Sequence, residues 1–209
     1  MKWKLALLGV AAALGLAACG QPQFAEYALD GGAVCRVWGS EEGLRRLEVT
    51  DAAGEVRKFS LGSVDIEPDP AGGLTLIDLD FDGHQDVQIK VRQNGETGDR
   101  YACFLWRDGT LEKNDTLGQL RGLEVDAESQ TLTAWSYYTI AEEHESKARL
   151  TYVWHEGKPV AVAKTELLYY FEEDIYCRVD YAAEPGEALA VVEEKWIFAE
   201  QFDQTKIWN

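Results

Sequence analysis

The stretch IDLDFDGHQDVQIKV, residues 77–91, places four aspartates within nine positions and then alternates apolar and polar residues. The four are Asp78, Asp80, Asp82 and Asp86. Carboxylates held this close repel one another, so a folded loop needs a compensating cation or a raised carboxylate pKa. Val87, Ile89 and Val91 then face one side of a half-buried strand. The stretch therefore predicts a cation-binding loop that leads into a β-strand.

The spacing of the carboxylates is that of the first part of an EF-hand loop. Such a loop uses side chains at positions 1, 3, 5 and 9, glycine at position 6 and a backbone carbonyl at position 7. Gly83 and His84 occupy positions 6 and 7 here, but position 12 is Ile89 instead of a bidentate Glu. The loop is thus strand–loop–strand, and we expect weak calcium binding, with a Kd of about 10⁻⁴ to 10⁻³ M. The predicted Ca²⁺ ligands are Asp78, Asp80, Asp82, the backbone of His84, and Asp86. The alternative is an acidic surface turn without metal.

Strand-like runs recur along the whole chain, with turn signals such as Asn94-Gly95 and Asp108-Gly109 between them. Twelve such runs predict an all-β fold, a small antiparallel meander that is propeller-like or barrel-like, with a β-sandwich as the alternative. ESKARL, residues 145–150, and GEALAVVEEKW, residues 186–196, could each form a helical turn or two, and the second segment is ambiguous between helix and strand.

The N-terminus, MKWKLALLGVAAALGLAACG, has a basic start and an apolar run too short to cross a bilayer. It predicts a signal peptide over residues 1–18, and the LAAC sequence resembles a lipobox that would make Cys19 the lipidated first residue. Residues 19–25 would then be a tether and residues 26–209 one calcium-binding β domain. The alternative is an ordinary secretory signal with a coincidental cysteine.

The formal net charge is −17, and loss of Lys2 and Lys4 with the signal peptide would make it more negative by two. Such a charge excludes nucleic acid as a partner and disfavours electrostatic binding to an anionic membrane. Membrane attachment would depend on the lipid on Cys19, outside the cytoplasm of a bacterial cell. A basic protein is the partner that this charge favours.

Three further cysteines, Cys35, Cys103 and Cys177, lie in strand-like contexts, where small buried hydrophobes are expected. One pair could form a disulfide outside the cytoplasm, but the odd number does not identify it.

Motifs of catalysis are missing from the sequence: there is no G-x-S-x-G, no H-E-x-x-H and no phosphate-binding glycine loop. His144 and His155 are interpreted as exposed polar residues, and the paired carboxylates at 142–143 and 172–174 as solvated loops. We therefore predict that the protein is not an enzyme; the less favoured alternative is a glycan-active enzyme that uses these paired carboxylates.

An aromatic run, AWSYYT, offers a candidate binding edge. Trp135 and Tyr137 point to one face of the predicted strand and Tyr138 to the other. Trp and Tyr contribute much of the binding energy of interfaces. Core packing is the alternative for each of the three.

The loop resembles the D-x-D-x-D-G-x-x-D calcium loops of integrin-type β-propeller repeats and their bacterial relatives. From about residue 74 to 165, a little under half of the chain, the order DLDFDGHQD, RYACFLWRDGTLEKNDTLGQL, LEVDAESQTLTAWSYYT and YVWHEGKPVAV is similar to a family of bacterial cell-envelope lipoproteins. The resemblance implies one calcium loop on a propeller-like fold. Some members of that family are immunity proteins that inhibit lysozyme-like effectors, so the function implied is a protein- or ligand-binding module, with inhibition of a basic cell-wall hydrolase as the alternative.

Overall fold

The computed structural model describes residues 23–40, 43–61, 74–92, 98–141, 144–202 and 208, without the side chains of residues 24, 40, 43, 92, 138–141, 144 and 145. The regular secondary structure of the described residues is almost entirely strand, and all strand pairs are antiparallel, which confirms the predicted all-β class.

The described chain contains fourteen strands. In chain order they are β1 Gln23–Ala28, β2 Val34–Ser40, β3 Gly43–Thr50, β4 Val56–Ser60, β5 Leu74–Ile77, β6 Asp86–Arg92, β7 Arg100–Arg107, β8 Thr110–Asn114, β9 Arg121–Asp126, β10 Thr131–Ala141, β11 His144–His155, β12 Lys158–Tyr170, β13 Ile175–Ala182 and β14 Ala190–Phe198. One short α-helix, α1 (Asp115–Gln119), follows β8, and 3-10 turns occupy Asp30–Gly32 and Ala199–Gln201.

The strands form two open sheets. The first is the meander β1-β2-β3-β4, and the second has the order β14-β13-β12-β11-β10-β9-β7-β6-β5, with β8 also paired to β7. Each described sheet has two edges, so neither sheet closes into the barrel that was one form of the prediction. Instead, one face of the first sheet packs against β5 to β8, as in the sandwich alternative.

Two hydrophobic cores lie on opposite faces of β7. Ala102, Phe104 and Trp106 enter the core shared with the first sheet, where Phe104 meets Phe59 edge to face at 5.1 Å. Cys103 and Leu105 enter a second core with residues from the loop after β5, α1, β9 and β10. Burial on both faces explains why β7 reads as the continuous apolar run YACFLW instead of alternating.

The structure decides three details of the predicted layout. ESKARL lies inside β11 and forms no helical turn, because pairing with β10 and β12 satisfies the backbone groups along the whole segment. The ambiguous segment is the strand β14. Strand β1 begins at Gln23, ahead of the boundary predicted at residue 26.

The C-terminal half is a meander of long strands, β10 to β14. Their N-terminal neighbour β9 and the buried side chain of Leu132 in β10 connect this meander to the second core. Among the described residues, no helix is long and apolar enough to cross a membrane.

Candidate functional site

The acidic loop lies between β5 and β6, where it faces the second core. It brings together Asp78, Asp80 and Asp86, each of which offers a carboxylate oxygen within 4.8 Å of the others. Three of the four predicted carboxylates therefore converge, although they come from the end of one strand, the middle of the loop and the start of the next strand.

The loop is folded by its own aspartates. Asp78 accepts hydrogen bonds from the backbone N–H groups of Asp82 at 3.2 Å and Gly83 at 2.9 Å. Asp82 in turn accepts one from the backbone N–H of His84 at 2.9 Å. Phe81 and Gly83 have φ angles of 61° and 89°, and glycine adopts such a value at little cost. The D-x-D-x-D-G spacing thus encodes a tight turn closed by hydrogen bonds to its own aspartates.

Asp86 is the most enclosed member of the cluster. Its carboxylate is fully buried and accepts backbone hydrogen bonds of 2.7 Å from Leu79 and from Trp106. Burial raises the pKa of Asp86 to about 6, against the opposite effect of the two hydrogen bonds, and the negative charges of Asp82 and Asp78 raise it further. The ionised form of Asp86 is therefore short of positive charge.

Asp80 has an incomplete set of partners. Its side chain is only 3% exposed; one oxygen pairs with the guanidinium of Arg107, and the other is buried without a hydrogen-bond partner among the described residues. Buried polar atoms without a hydrogen bond are rare, since the free energy lost on removing the atom from water is not compensated by a new hydrogen bond.

Arg107, at the end of β7, supplies a positive charge to the acidic loop that the sequence analysis did not predict. It also donates to Asp82 at 2.8 Å, so Asp82 is turned toward Arg107 and does not belong to the three-carboxylate cluster. The protein itself therefore offsets part of the repulsion between the aspartates. No spacing rule links the last residue of β7 to the loop before β6, which is why sequence reasoning missed it.

His84 makes a contact that the sequence did not predict. Its ring nitrogen Nδ1 lies 3.1 Å from a carboxylate oxygen of Asp30, which also accepts from the backbone N–H of Gln85 at 3.3 Å. This hydrogen bond raises the pKa of His84 and lowers the pKa of Asp30. Asp30 belongs to the 3-10 turn after β1, so the loop is also connected to the first sheet. The role of the His84 carbonyl as a ligand stays a prediction.

The donor set fits a hard cation. It consists of carboxylate oxygens, of which one is buried and unpartnered, and none of the three grouped side chains is a thiol or imidazole. Oxygen donors of this kind suit Ca²⁺. Since Arg107 already neutralises part of the charge, an ion at the cluster and the guanidinium would share the carboxylate of Asp80.

The predicted aromatic binding edge is engaged within the chain. Trp135 and Tyr137 are half-buried on one face of β10, where the ammonium of Lys147 lies 4.5 Å from the ring of Trp135 and 5.3 Å from that of Tyr137. Trp208 packs edge to face on Trp135 at 4.9 Å. The side chain of Tyr138 lies outside the described residues. Internal packing therefore accounts for much of the surface of Trp135.

Cys35, Cys103 and Cys177 are free thiols and buried, as expected for small core residues. Burial raises the pKa of both Cys35 and Cys103 to about 12. Cys19 and the predicted signal peptide lie outside the described residues, and so do Glu142 and Glu143. Glu172, Glu173 and Asp174 are exposed in the turn after β12, as expected for a solvated loop.

A buried polar group on β11, β12 and β13 was not predicted. Glu166 accepts hydrogen bonds from Ser146 at 2.8 Å and from Tyr181 at 3.0 Å, and its carboxylate lies 2.7 Å from the ammonium of Lys164. Ser146 and Glu166 are each 4% exposed. Because the carboxylate of Glu166 is closed to solvent and is satisfied by these neighbours, the group contributes to the packing of the long sheet.

Comparison with known proteins gives a fold relationship alone. No family model matches the chain, and no curated protein matches it. Among solved structures, the chain is similar to one from Xanthomonas described as the structure of a type IV secretion system related protein. The TM-score is 0.52 at 16% sequence identity, and the match covers 80% of this chain and 92% of that one. At this identity the similarity shows that the two chains share a fold.

Proposed function

We propose that the protein is a non-enzymatic, calcium-binding lipoprotein of the bacterial cell envelope that acts as a protein- or ligand-binding module. The observation that carries the calcium assignment is the convergence of Asp78, Asp80 and Asp86 with a buried Asp80 oxygen that lacks a partner among the described residues. The anchor on Cys19 and the position outside the cytoplasm rest on the N-terminal sequence.

The residues that would hold the ion are the three grouped aspartates, with the backbone carbonyl of His84 as a further ligand. Asp82 would join only if its carboxylate left Arg107. A loop without a position-12 carboxylate and with a competing guanidinium supports weak binding, of the order expected for extracellular modules.

The role that follows for calcium is structural. Asp78 comes directly after β5 and Asp86 begins β6, so an ion between them would hold the two strands in register. Binding to the folded chain alone stabilises it by an amount that grows with the free calcium concentration relative to Kd.

The test is a thermal melt of residues 20–209 in EGTA, in millimolar calcium and in millimolar magnesium. We expect a rise in Tm that is specific to calcium. Asp80→Ala should lower Tm and remove the response to calcium, whereas Asp115→Ala, which removes an exposed carboxylate at the start of α1, should keep the response. Equal melting of the wild type in EGTA and calcium would overturn the site.

A second candidate function is inhibition of a basic, lysozyme-like peptidoglycan hydrolase. The observation that favours it is the strongly negative charge, which would speed association with a basic enzyme, together with the half-buried rings of Trp135 and Tyr137 on one face of β10. Residues 20–209 should then slow one member of a panel of lysozymes and transglycosylases, and Trp135→Ala or Tyr137→Ala should weaken the effect. A panel unaffected by micromolar protein would exclude inhibition.

A further inference from the structure

Strand β14 leaves one edge of the ten-stranded sheet open. It spans nine residues, Ala190–Phe198, and within the described part of the chain its one neighbour is β13. An edge strand presents backbone N–H and C=O groups that can pair with another chain.

The exposed large apolar side chains of the described residues concentrate on this strand. Val191, Val192, Trp196 and Phe198 are 56%, 64%, 51% and 59% exposed. Trp196 and Phe198 pair with Cys177 and Ile175, so both point to the same face of the sheet. Natural edges are usually short or protected by charge or proline, and a long edge with exposed aromatic residues indicates an interaction site.

Trp196 is held in place before any partner arrives. Its indole N–H donates to a carboxylate oxygen of Glu194 at 2.7 Å, and its ring lies 5.3 Å from the ring of Tyr170 on β12. A side chain already fixed by neighbours loses little conformational entropy when it is buried by a partner. Trp is among the residue types enriched at the energetic centres of protein interfaces.

The charge around β14 selects the kind of partner. Residues 182–202 contain five carboxylates and a single cation, Lys195. The adjoining turn after β12 adds Glu172, Glu173 and Asp174, all exposed, and the backbone of Asp174 bonds to Ala199 just past the end of β14. A second copy would bring this acidic rim against an identical one, whereas a basic segment would meet opposite charge.

We propose that the edge of β14 binds an extended segment of a basic protein as an added β-strand. Backbone pairing with β14 would supply affinity, Trp196 and Phe198 would cover the apolar side chains of the segment, and the surrounding carboxylates would pair with its Lys or Arg residues. This inference names the partner of the proposed binding module and rests on that role.

The probes are short synthetic peptides in which Lys alternates with Val or Thr, and a matched set with Glu in place of Lys. Fluorescence anisotropy of labelled peptides measures binding to residues 20–209 in calcium. We expect saturable binding of the Lys set alone, weakened by about tenfold or more in Trp196→Ala and in Phe198→Ser. Val56→Ser, at an equally exposed site on the β4 edge of the other sheet, should leave binding unchanged.

A backbone test leaves the protein untouched. N-methylation of the Lys peptides keeps every side chain and charge but removes the N–H donors, and should abolish binding if the peptide adds as a strand. Binding that depends on charge alone would persist after N-methylation.

Three outcomes would overturn the proposal. One is the absence of binding by the Lys set, and another is binding that neither Trp196→Ala nor N-methylation weakens. The third is a dimer in sedimentation equilibrium that Phe198→Ser dissociates, because it would assign the edge to a second copy. The calcium response of Tm, read on the same samples, separates these results from the calcium assignment: a normal response without peptide binding would remove the docking surface alone.

Discussion

The indole N–H of Trp154 donates a hydrogen bond of 2.7 Å to the carbonyl oxygen of Leu79. Trp154 lies near the end of β11 and Leu79 is a fully buried residue of the acidic loop. The contact joins the long C-terminal sheet to the backbone between two of the grouped aspartates. The geometry of the candidate calcium site therefore depends on residues far from it in the chain.

Trp154→Phe tests this connection. The change keeps an aromatic ring in the second core but leaves the carbonyl of Leu79 without its donor, so we expect a loss of about 1–3 kcal/mol in the free energy of unfolding. Urea denaturation measures it. The matched control is Trp38→Phe, because the indole N–H of Trp38 is buried without a partner among the described residues and no hydrogen bond is lost there. Equal losses in the two variants would contradict the role of the hydrogen bond.

Arg107→Gln tests whether the guanidinium and calcium compensate the same charge. In EGTA the variant should be less stable than the wild type, since Asp80 and Asp82 lose their cation. In calcium the difference should shrink, and calcium affinity should rise by about threefold to tenfold, which corresponds to about 1 kcal/mol. Calcium titrations followed by Tm give both quantities. Arg36→Gln, which breaks an ion pair with Glu26 on the first sheet, should leave calcium affinity unchanged.

Glu166→Gln tests the buried polar group of the long sheet. The substitution leaves the ammonium of Lys164 without its carboxylate, and we expect a loss of about 3 kcal/mol in the free energy of unfolding at neutral pH. The double variant Glu166→Gln with Lys164→Met should recover most of the lost stability, because it leaves no ammonium without a carboxylate partner at this position. A double variant as unstable as the single one would show that packing, not charge, decides the cost.

The same pair gives a pH dependence with a defined sign. Burial raises the pKa of Glu166 above its ordinary value of 4.5. As the pH falls through that raised pKa, folded wild-type protein takes up a proton on Glu166 while the unfolded chain is still ionised. Because the folded state then binds the proton more tightly than the unfolded chain, the wild type gains stability relative to Glu166→Gln, and the stability difference between them should widen toward pH 4.5. A difference that narrows on acidification would contradict this sign.

Thiol labelling tests the core assignment of the cysteines. The protein used is residues 20–209, so Cys19 is absent. We expect Cys35 and Cys103 to react very slowly with a thiol reagent at pH 8, since burial raises the pKa of each to about 12 and both are fully buried. After unfolding in denaturant, all three cysteines should react rapidly. Rapid labelling of the folded protein would contradict the burial of these thiols.

The sequence predicted what depends on neighbours along the chain. The carboxylate of Asp78 folds the loop by accepting hydrogen bonds from backbone N–H groups that lie at most five residues away, so spacing alone contains the information. The alternation of VQIKV likewise determines which side of β6 is buried. By contrast, ESKARL has a weak local preference for helix, and pairing with two neighbouring strands overrode it.

The residues alone predicted the all-β class, the burial of the cysteines and the convergence of Asp78, Asp80 and Asp86. Tertiary structure decided that Arg107 draws Asp82 away from that group, that Asp30 holds His84, and that β14 ends the long sheet as an open edge. The physical reason is range: a turn is set by contacts within a few residues, whereas the counter-ion of a buried carboxylate and the order of strands in a sheet come from chain segments that meet only after folding.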